Sequence, residues 1–566
     1  MRKEQLHPKR EFTDVRALIE WAGEEYGERY AYSYRKNAHD EEIERITFAQ
    51  LRDDVRALAS SLMKMGCAHR HCVIVGKFSY EWVLTYFSVL SIGGVLVPLD
   101  PEWQPADLAD TAKNAGAEFL FIEDTLGAKS GAIVEHCDLL HAPVMLGASA
   151  EREDGLLALV EAGRELFAAG PDSYFGEEID PFVMALLVFT SGTTGKGKGV
   201  MLSQSAVLSD LCDVIPYVDF GIKTVGVLPP HHTYGSSVMM IGHAIIGAEI
   251  YISSGLRYVQ RELKEQKPEH MVLVPLYLET FYRKILATVK DQGKEALLYK
   301  MIALSNSLRK IGIDLRAKMF SSVREAFGGK IRMIISGGAS INPDILNFFE
   351  SIGISTLNGY GITECAPIIA VNRTRHVVPG SVGTVLNIDT VRIDDPNEDG
   401  EGEICVKGPN VMLGYYRDEA ATAAAIDEEG FFHTGDYGKL DKNNILYITG
   451  RKKNLIILSN GKNVYPEEIE NELIATPGIL DIVVYEGQSK RGVSHNAIVA
   501  EVYPDKDYIE KNNIVDIKEH LKPYIDEYNK NAVPYKKIRI FKVRSKEFPK
   551  NTLRKIQRFQ IDTTID

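Results

Sequence analysis

Cysteine is scarce in this sequence, and the few cysteines are scattered. The 566 residues include six, at positions 67, 72, 137, 212, 365 and 405, and no two of them form a C-x-x-C pair. A disulfide framework needs many closely spaced cysteines, and the common structural zinc sites need C-x-x-C pairs. We therefore exclude both as organising features and expect a cytoplasmic protein in a reducing compartment.

Long apolar runs and an excess of positive charge are also lacking. No stretch approaches 18 uninterrupted apolar residues, and the first ten residues are mostly charged or polar. We therefore expect no membrane span. The formal net charge is −13, with 65 Lys and Arg against 78 Asp and Glu. Because duplex binding needs a basic face, the composition argues against nucleic acid as the main partner.

What the sequence does contain is a phosphate-binding pattern behind a segment of strand length. Met184 to Phe189 is the apolar segment, and residues 190–200 come directly after it as T-S-G-T-T-G-K-G-K-G-V. Glycines let backbone N–H groups turn toward an anion without Cβ clashes, while hydroxyls and lysines add donors and positive charge. We predict that residues 190–200 form a phosphate cradle.

The cradle differs from a P-loop at the metal ligand and in the segment C-terminal to it. Residues 192–198 fit the spacing G-x-x-x-x-G-K, but Gly199 stands where a Ser or Thr must hold magnesium. Val200 to Leu202 then has strand character, and a helix start comes only at Ser203. We therefore predict a strand-to-strand hairpin in place of a strand-to-helix turn.

Strand and helix patterns alternate through most of the chain. Near the start, the pattern predicts a helix over 51–65, a strand over 72–76 and a helix over 81–90. Nearer the middle, two predicted strands end in glycine turns, at residues 337–339 and 359–361. Such alternation indicates an α/β fold, in which ligands bind at strand ends. We expect these two turns and the phosphate cradle to converge on one site.

The character of the sequence changes near residue 450. Residues 511–558 contain 14 Lys or Arg against 5 Asp or Glu, although the whole chain is acidic. Residues 466–474 begin with proline followed by glutamates, as the first turn of a helix does. We predict a large N-terminal α/β domain of several subdomains, 1–450, and a small α+β C-terminal domain, 451–566. The basic run is interpreted either as a solvated face or as a surface for a phosphate-bearing carrier.

Six short motifs follow one another along the sequence. They are residues 190–200, S-G-G-A at 336–339, Y-G-I-T-E at 360–364, T-G-D at 434–436, G-R-K-K at 450–453, and P-K through K-I between 549 and 556. In this order and approximate spacing they resemble the adenylate-forming superfamily of acyl-CoA synthetases, peptide-synthetase adenylation domains and luciferases. The pattern from 281 to 329 and the run 450–470 look like bacterial long-chain fatty acyl-CoA synthetases.

The resemblance implies a set of site residues. Thr190, Ser191, Gly192, Thr193, Thr194, Gly195 and Lys196 would hold the β- and γ-phosphates of ATP. Thr363 would contact the α-phosphate and Glu364 would hold magnesium, a hard cation that prefers oxygen ligands. Adenine would lie between Tyr360-Gly361 and Gly338-Ala339, and the ribose hydroxyls would donate to Asp436 beside Arg451.

The resemblance also implies residues for the second substrate and for domain motion. Lys555 would bridge the attacking carboxylate and the α-phosphate. His232 would lie where the acyl pocket meets the thiol tunnel, and Gly461 would let the pantetheine arm pass close to the backbone. Lys453 would be the hinge between an N-terminal adenylation domain, 1–450, with the ATP and acyl site, and a mobile C-terminal lid domain, 451–566. The loop departs from the family at Arg554, which replaces a glycine, so Lys550 stays open as an alternative to Lys555.

The chemistry that these residues imply is the activation of a carboxylate. Attack of the carboxylate on the α-phosphorus of ATP makes acyl-AMP and pyrophosphate, after which a thiol displaces AMP. Fixed cations and N–H donors must balance the like charges that meet there. We expect an ATP- and Mg²⁺-dependent ligase that joins a medium- or long-chain fatty acid to coenzyme A. Two alternatives stay open: an acyl carrier protein as the acceptor, and a nucleotide-binding regulatory protein that has lost turnover.

Overall fold

The computed structural model describes residues 5–147, 151–153, 155–190, 197–458, 462–488, 494–550 and 556–565. The strands in this part of the chain, numbered in chain order, are β1 (Tyr30–Tyr34), β2 (Glu44–Thr47), β3 (His71–Val75), β4 (Val95–Leu99), β5 (Phe119–Glu123), β6 (Val144–Leu146), β7 (Met184–Thr190), β8 (Lys198–Ser203), β9 (Lys223–Gly226), β10 (Glu249–Ile252), β11 (His270–Leu273), β12 (Met333–Ser336), β13 (Ser355–Gly361), β14 (Ile368–Val371), β15 (Gly383–Val385), β16 (Thr390–Asp394), β17 (Gly402–Lys407), β18 (Gly414–Tyr415), β19 (Phe432–Leu440), β20 (Ile445–Arg451), β21 (Ile456–Ile457), β22 (Asn463–Val464), β23 (Ile479–Gln488), β24 (Ser494–Pro504) and β25 (Ile538–Val543).

The helices cover the sheets and carry much of the remaining chain. They are α1 (Val15–Glu25), α2 (Phe48–Lys64), α3 (Tyr80–Leu90), α4 (Pro105–Asn114), α5 (Gly127–His136), α6 (Leu156–Ala169), α7 (Pro171–Gly176), α8 (Gln204–Val214), α9 (Gly242–Ile246), α10 (Val259–Gln266), α11 (Pro275–Asp291), α12 (Glu295–Arg309), α13 (Arg316–Met319), α14 (Ser321–Arg324), α15 (Pro343–Ser351), α16 (Glu419–Ala425), α17 (Pro466–Leu473), α18 (Lys506–Lys511) and α19 (Ile517–Asn531). In the part of the chain that the structure describes, no helix is both long enough and apolar enough to cross a membrane.

Three large sheets organise the first 451 residues. One has seven strands in the order β18-β8-β7-β4-β3-β5-β6, one has nine in the order β11-β12-β13-β14-β15-β20-β19-β17-β16, and one has four in the order β2-β1-β10-β9. The neighbours β4-β3-β5-β6 and β11-β12-β13 are parallel, with connecting helices that bury their apolar faces against the strands. The predicted α/β class is confirmed.

The local predictions hold where the apolar period is strong. The helix predicted over 51–65 is α2, which begins earlier because Thr47 caps it: its hydroxyl accepts the Gln50 N–H while the Gln50 side chain accepts the Thr47 N–H. The hairpin around the phosphate cradle is also confirmed, since β7 and β8 pair antiparallel with Thr190 opposite Lys198.

One local prediction is wrong. Residues 359–361 do not form a turn after a strand; they continue β13. The reason is a second ladder, in which Gly359 pairs with Val371 and Tyr360 with Ala370 on antiparallel β14. β13 thus pairs with parallel β12 through its first half and with β14 through its second half.

The last part of the chain has a core of its own. Among the described residues, the apolar clusters of the large region end at Leu446, with Ile448 packed against them, and those of the small region begin at Ile456. The small region contains the two-stranded sheet β21-β22, the three-stranded sheet β23-β24-β25 and three helices.

Contacts that join the two regions are largely polar. Lys511 pairs with Asp291, and Lys290 Nζ donates to Asn512 Oδ1 at 3.2 Å. Asn342 Nδ2 donates to the Asn471 carbonyl at 2.6 Å, Arg283 donates to the Ile479 carbonyl at 3.3 Å, and the rings of Tyr437 and Tyr465 lie 6.2 Å apart.

Candidate functional site

The two glycine-containing segments lie side by side because their strands are neighbours. Ser336, the last residue of β12, is in register with Asn358 of β13. Residues 337–339 therefore leave the sheet beside Tyr360. Gly338 has a φ of +86°, a backbone conformation that favours glycine. A Cβ on Gly337 would lie 3.1 Å from the Tyr234 ring, so only glycine fits there without displacing that ring.

Tyr360, Asp436 and Arg451 form one hydrogen-bonded group. The Tyr360 hydroxyl donates to Asp436 Oδ2 at 2.8 Å, and Arg451 Nε lies 3.3 Å from Asp436 Oδ1. Asp436 and Arg451 are directly opposite each other on antiparallel β19 and β20. Only 5% of Asp436 is exposed, and burial, followed by the Asp436 charge, holds the pKa of Tyr360 well above its usual range. The structure thus brings together three of the residues assigned to adenine and ribose.

Glu364 is held beside β18, the strand that pairs with β8 of the hairpin. It lies in the short turn Thr363–Cys365, where its Oε1 accepts the Tyr415 hydroxyl at 3.0 Å and its carbonyl accepts the Met412 N–H at 2.8 Å. Burial raises the pKa of Glu364. Among the described residues, Tyr415 is the one side chain that donates to this carboxylate, whose oxygens are of the kind that a hard cation prefers.

Tyr415 links Glu364 to the hairpin, although it lies in none of the six sequence motifs. β18, which contains Tyr415, pairs with β8 so that Tyr415 lies opposite Val200, and Lys198 Nζ lies 4.5 Å from the centre of its ring. Thr190 and Lys198 mark the two ends of the hairpin turn. The other cradle residues, Ser191, Gly192, Thr193, Thr194, Gly195 and Lys196, lie outside the described residues.

His232 is buried shortly before the π-helix Tyr234–Ile241. Its ring centre lies 4.4 Å from that of His231, and His231 Nε2 lies 3.6 Å from Asp100 Oδ2. Burial, followed by the neighbouring His231, lowers the pKa of His232 to about 3, so this imidazole is neutral at physiological pH. Residues 238–241 belong to a π-helix, Tyr234–Ile241, and are buried in the main core.

Lys453 lies in the 3-10 turn Lys452–Asn454 that comes directly after β20. Both sides of this turn are anchored: Lys452 Nζ pairs with Glu403 Oε2 at 2.6 Å, and Asn454 Nδ2 donates to Glu467 Oε1 at 2.5 Å. Burial and then the nearby Arg451 lower the pKa of Lys453. The turn joins the strand that contains Arg451 to the small region.

Of the two candidate lysines of the C-terminal loop, Lys550 lies among the described residues and Lys555 does not. Lys550 Nζ pairs with Asp481 Oδ2 at 2.7 Å and with Glu547 Oε1 at 3.0 Å, and its side chain is 7% exposed. Lys555 lies outside the described residues, as does Gly461. The assignment of Lys555 to adenylation stays a prediction.

The chain is similar to a known enzyme family and to single members of known function. Residues 19–416 match the model of the AMP-binding enzyme family. Long-chain-fatty-acid–CoA ligase 5 of Rattus norvegicus is 27% identical over 513 residues, which span 81% of this chain and 71% of that protein. Long-chain-fatty-acid–CoA ligase FadD15 of Mycobacterium bovis is 28% identical over 461 residues, 78% of this chain and 75% of that one.

Solved structures share the whole architecture at low identity. ATP-bound MatB from Rhodopseudomonas palustris superposes with a TM-score of 0.74 at 23% identity, covering 96% of this chain and 97% of that one. O-succinylbenzoate coenzyme A synthetase from Bacillus subtilis, in complex with ATP and magnesium ion, gives 0.69 at 21% identity, with 96% and 98% covered. These likenesses confirm the fold, and the family match confirms the resemblance found in the motifs: the chain belongs to the AMP-binding enzyme family.

Proposed function

We propose that this chain joins a long-chain fatty acid to coenzyme A in two steps, with ATP converted to AMP and pyrophosphate. The observation that carries the proposal is the group of Tyr360, Asp436 and Arg451 beside the Gly337-Gly338 turn, since it places a buried carboxylate acceptor next to an aromatic ring and two glycines. Such a group suits a nucleoside, whose ribose hydroxyls need an acceptor. The curated relatives are named for long-chain fatty acids, which supports that substrate class.

In the first step, the residues of the candidate site hold ATP in place. Asp436 orients the ribose, the backbone and hydroxyl of Thr190 with the rest of residues 190–196 receive the outer phosphates, and Thr363 donates to the α-phosphate. The fatty acid carboxylate attacks the α-phosphorus, the bond to the bridging oxygen breaks, and pyrophosphate leaves. Glu364 would hold a Mg²⁺ ion through its carboxylate, and that ion would neutralise phosphate charge.

The second step exchanges oxygen for sulfur at the acyl carbon. The thiol attacks the acyl-AMP carbonyl, the mixed anhydride bond breaks, AMP leaves, and the thiol proton passes to solvent. The neutral imidazole of His232 accepts or donates a hydrogen bond near the acyl carbon without placing a cation in an apolar pocket. Rotation of the small region about Lys453 would exchange Lys555 for the face that contains Gly461 between the steps.

Coenzyme A is favoured over an acyl carrier protein as the acceptor. A carrier would need free cations on the basic run 511–558, but several of these cations are used inside the small region: Lys536 pairs with Glu468, Lys550 with Asp481, and Arg558 with Glu470. A cytoplasmic location also belongs to this proposal, because all six cysteines are free thiols.

The proposal is tested with a panel of fatty acids of graded length, assayed for pyrophosphate release and for thioester formation on coenzyme A or on holo carrier protein. We expect long-chain acids to release pyrophosphate and coenzyme A to be acylated. Thioester formation on the carrier protein alone would identify that protein, and not coenzyme A, as the acceptor. The absence of pyrophosphate release with every acid would leave only a nucleotide-binding protein.

A matched pair of lysine variants tests the catalytic assignment. Lys555→Ala should slow adenylation at least ~100-fold, the scale for loss of one preorganised charge, while supplied acyl-AMP still reacts with coenzyme A. Lys550→Ala should retain adenylation and lower the melting temperature, because it leaves Asp481 without its buried partner. The reverse pattern would assign the step to Lys550.

A further inference from the structure

α12 and the turn after it expose an unusual number of large apolar side chains. Among the described residues, 21 large apolar side chains are exposed, and six of them lie within the short segment from 297 to 315. They are 43 to 72% exposed: Leu297, Tyr299, Leu304, Ile311, Ile313 and Leu315. Single exposed leucines are ordinary, but a cluster of this size marks an interaction surface.

These side chains are not needed for packing of the helix. Leu297 and Leu304 are two helical turns apart, so they share one side of α12. The inward side is provided by other residues, of which Leu298 is 6% exposed and Ser305 is 1% exposed. Burial of Leu298 in the cluster around α11 and α15 already fixes the helix on the protein.

Free positive charge accompanies the apolar side chains. Lys300, Lys310 and Lys318 are exposed, and the part of the chain described by the structure offers none of them an ion-pair partner. Unlike these lysines, the two arginines of the segment are paired: Arg309 lies 3.1 Å and Arg316 lies 2.7 Å from the Glu350 carboxylate. The segment thus forms a locally positive surface, although the net charge of the whole chain is −13.

We propose that this face, defined by Leu297, Leu304, Ile311, Lys300, Lys310 and Lys318, docks on an anionic lipid bilayer. Apolar side chains enter the boundary between headgroups and acyl chains, while lysines meet the lipid phosphates. The face consists of one side of a helix and the turn after it, and a fluid bilayer accepts such side chains without a matching groove. A second copy would set the same lysines against each other, which charge repulsion disfavours.

Docking would bring the enzyme to the place where its substrate accumulates. A long-chain fatty acid is an amphiphile that partitions into bilayers, so an enzyme held at the surface draws on a local supply. This benefit rests on the proposed function, whereas the docking itself does not depend on which acid is activated. Lipid binding is measured without turnover, so its failure and the failure of the proposed function are distinguishable.

The test is flotation of the full-length protein with vesicles of phosphatidylcholine, alone or with about a third phosphatidylglycerol. We expect binding to the anionic vesicles to be at least ~10-fold stronger and to weaken with added salt. Leu297→Asp/Leu304→Asp/Ile311→Asp and Lys300→Glu/Lys310→Glu/Lys318→Glu should each reduce it at least ~10-fold. The matched control Val134→Asp/Leu140→Asp/Leu256→Asp changes three exposed apolar residues elsewhere and should bind as the parent does.

Several outcomes would overturn the proposal. Parent protein that stays unbound with anionic vesicles, or an equal loss in the control triple variant, would do so. Sedimentation velocity showing a dimer that the apolar variant abolishes would assign the face to a second copy. Capture of acidic carrier protein through this face without vesicle binding would assign it to a protein partner. All substituted residues are exposed, so circular dichroism and melting curves should match the parent and remove misfolding as an explanation.

Discussion

Replacement of Asp436 by asparagine separates the nucleotide role of this residue from its structural role. In the parent, Oδ2 accepts the Tyr360 hydroxyl at 2.8 Å and Oδ1 faces Arg451 Nε at 3.3 Å. The amide of Asp436→Asn can keep its oxygen toward Arg451 and its NH2 toward the Tyr360 oxygen, because a hydroxyl both donates and accepts. We therefore expect the fold to survive with a loss of about 1 kcal/mol.

Binding of the nucleotide should suffer more. A carboxylate accepts from two ribose hydroxyls, whereas an amide provides only one acceptor. Loss of one charge-assisted hydrogen bond, about 1.5–3 kcal/mol, corresponds to a rise in KM for ATP of roughly 10- to 100-fold. The assay is ATP–pyrophosphate exchange at saturating fatty acid with varied ATP, accompanied by a thermal melt.

The companion variant Tyr360→Phe leaves a buried oxygen of Asp436 without its donor. It should lower stability by about 1–3 kcal/mol and change KM for ATP less than Asp436→Asn does. A folded Asp436→Asn protein whose KM for ATP stays within about twofold of the parent value would refute the reasoning, because a ribose acceptor cannot lose its charge without that cost.

Three further predictions concern the metal, the hinge and a buried acid. Glu364→Gln should raise the Mg²⁺ concentration for half-maximal exchange about tenfold, the effect of one lost charge; a titration that overlays that of the parent would exclude Glu364 as a ligand. Lys453→Pro fixes φ in the turn after β20, so it should keep pyrophosphate release and lose thioester formation, whereas loss of both steps in a folded protein would place the pivot elsewhere. Burial raises the pKa of Asp389 from 3.8 to about 7, so the stability that this residue contributes is present at low pH and lost as pH rises from about 4 to 7, by at most ~1.4 kcal/mol per pH unit. Asp389→Asn should flatten that slope in urea titrations, and an unchanged slope would mean that another group titrates.

The sequence predicted the fold where pattern and pairing act locally. Apolar periodicity indicated α2 and β3, and the absence of a helix start before Ser203 indicated the hairpin of β7 and β8. The pairing of residues 359–361 with β14 escaped prediction because glycines favour turns in isolation, while the ladder that overrides them depends on residues about ten positions away.

The residues of the candidate site also divide into those that the sequence could predict and those that it could not. Tyr360, Glu364, Asp436 and Arg451 lie in motifs, so a resemblance between motifs assigned them roles. Tyr415 lies in no motif, and its hydrogen bond to Glu364 forms only because β18 pairs with β8. The only local hint was the aromatic pair after Gly414, which many packing residues share.

The division of the apolar clusters near residue 450 has a consequence for how the protein denatures. Since neither core contributes apolar residues to the other in the described part of the chain, loss of one need not expose the other. Contacts between the regions, such as Lys511 with Asp291 and Lys290 with Asn512, are ones that water can replace. Calorimetry should then show two transitions rather than one, and no single melting temperature would describe the chain.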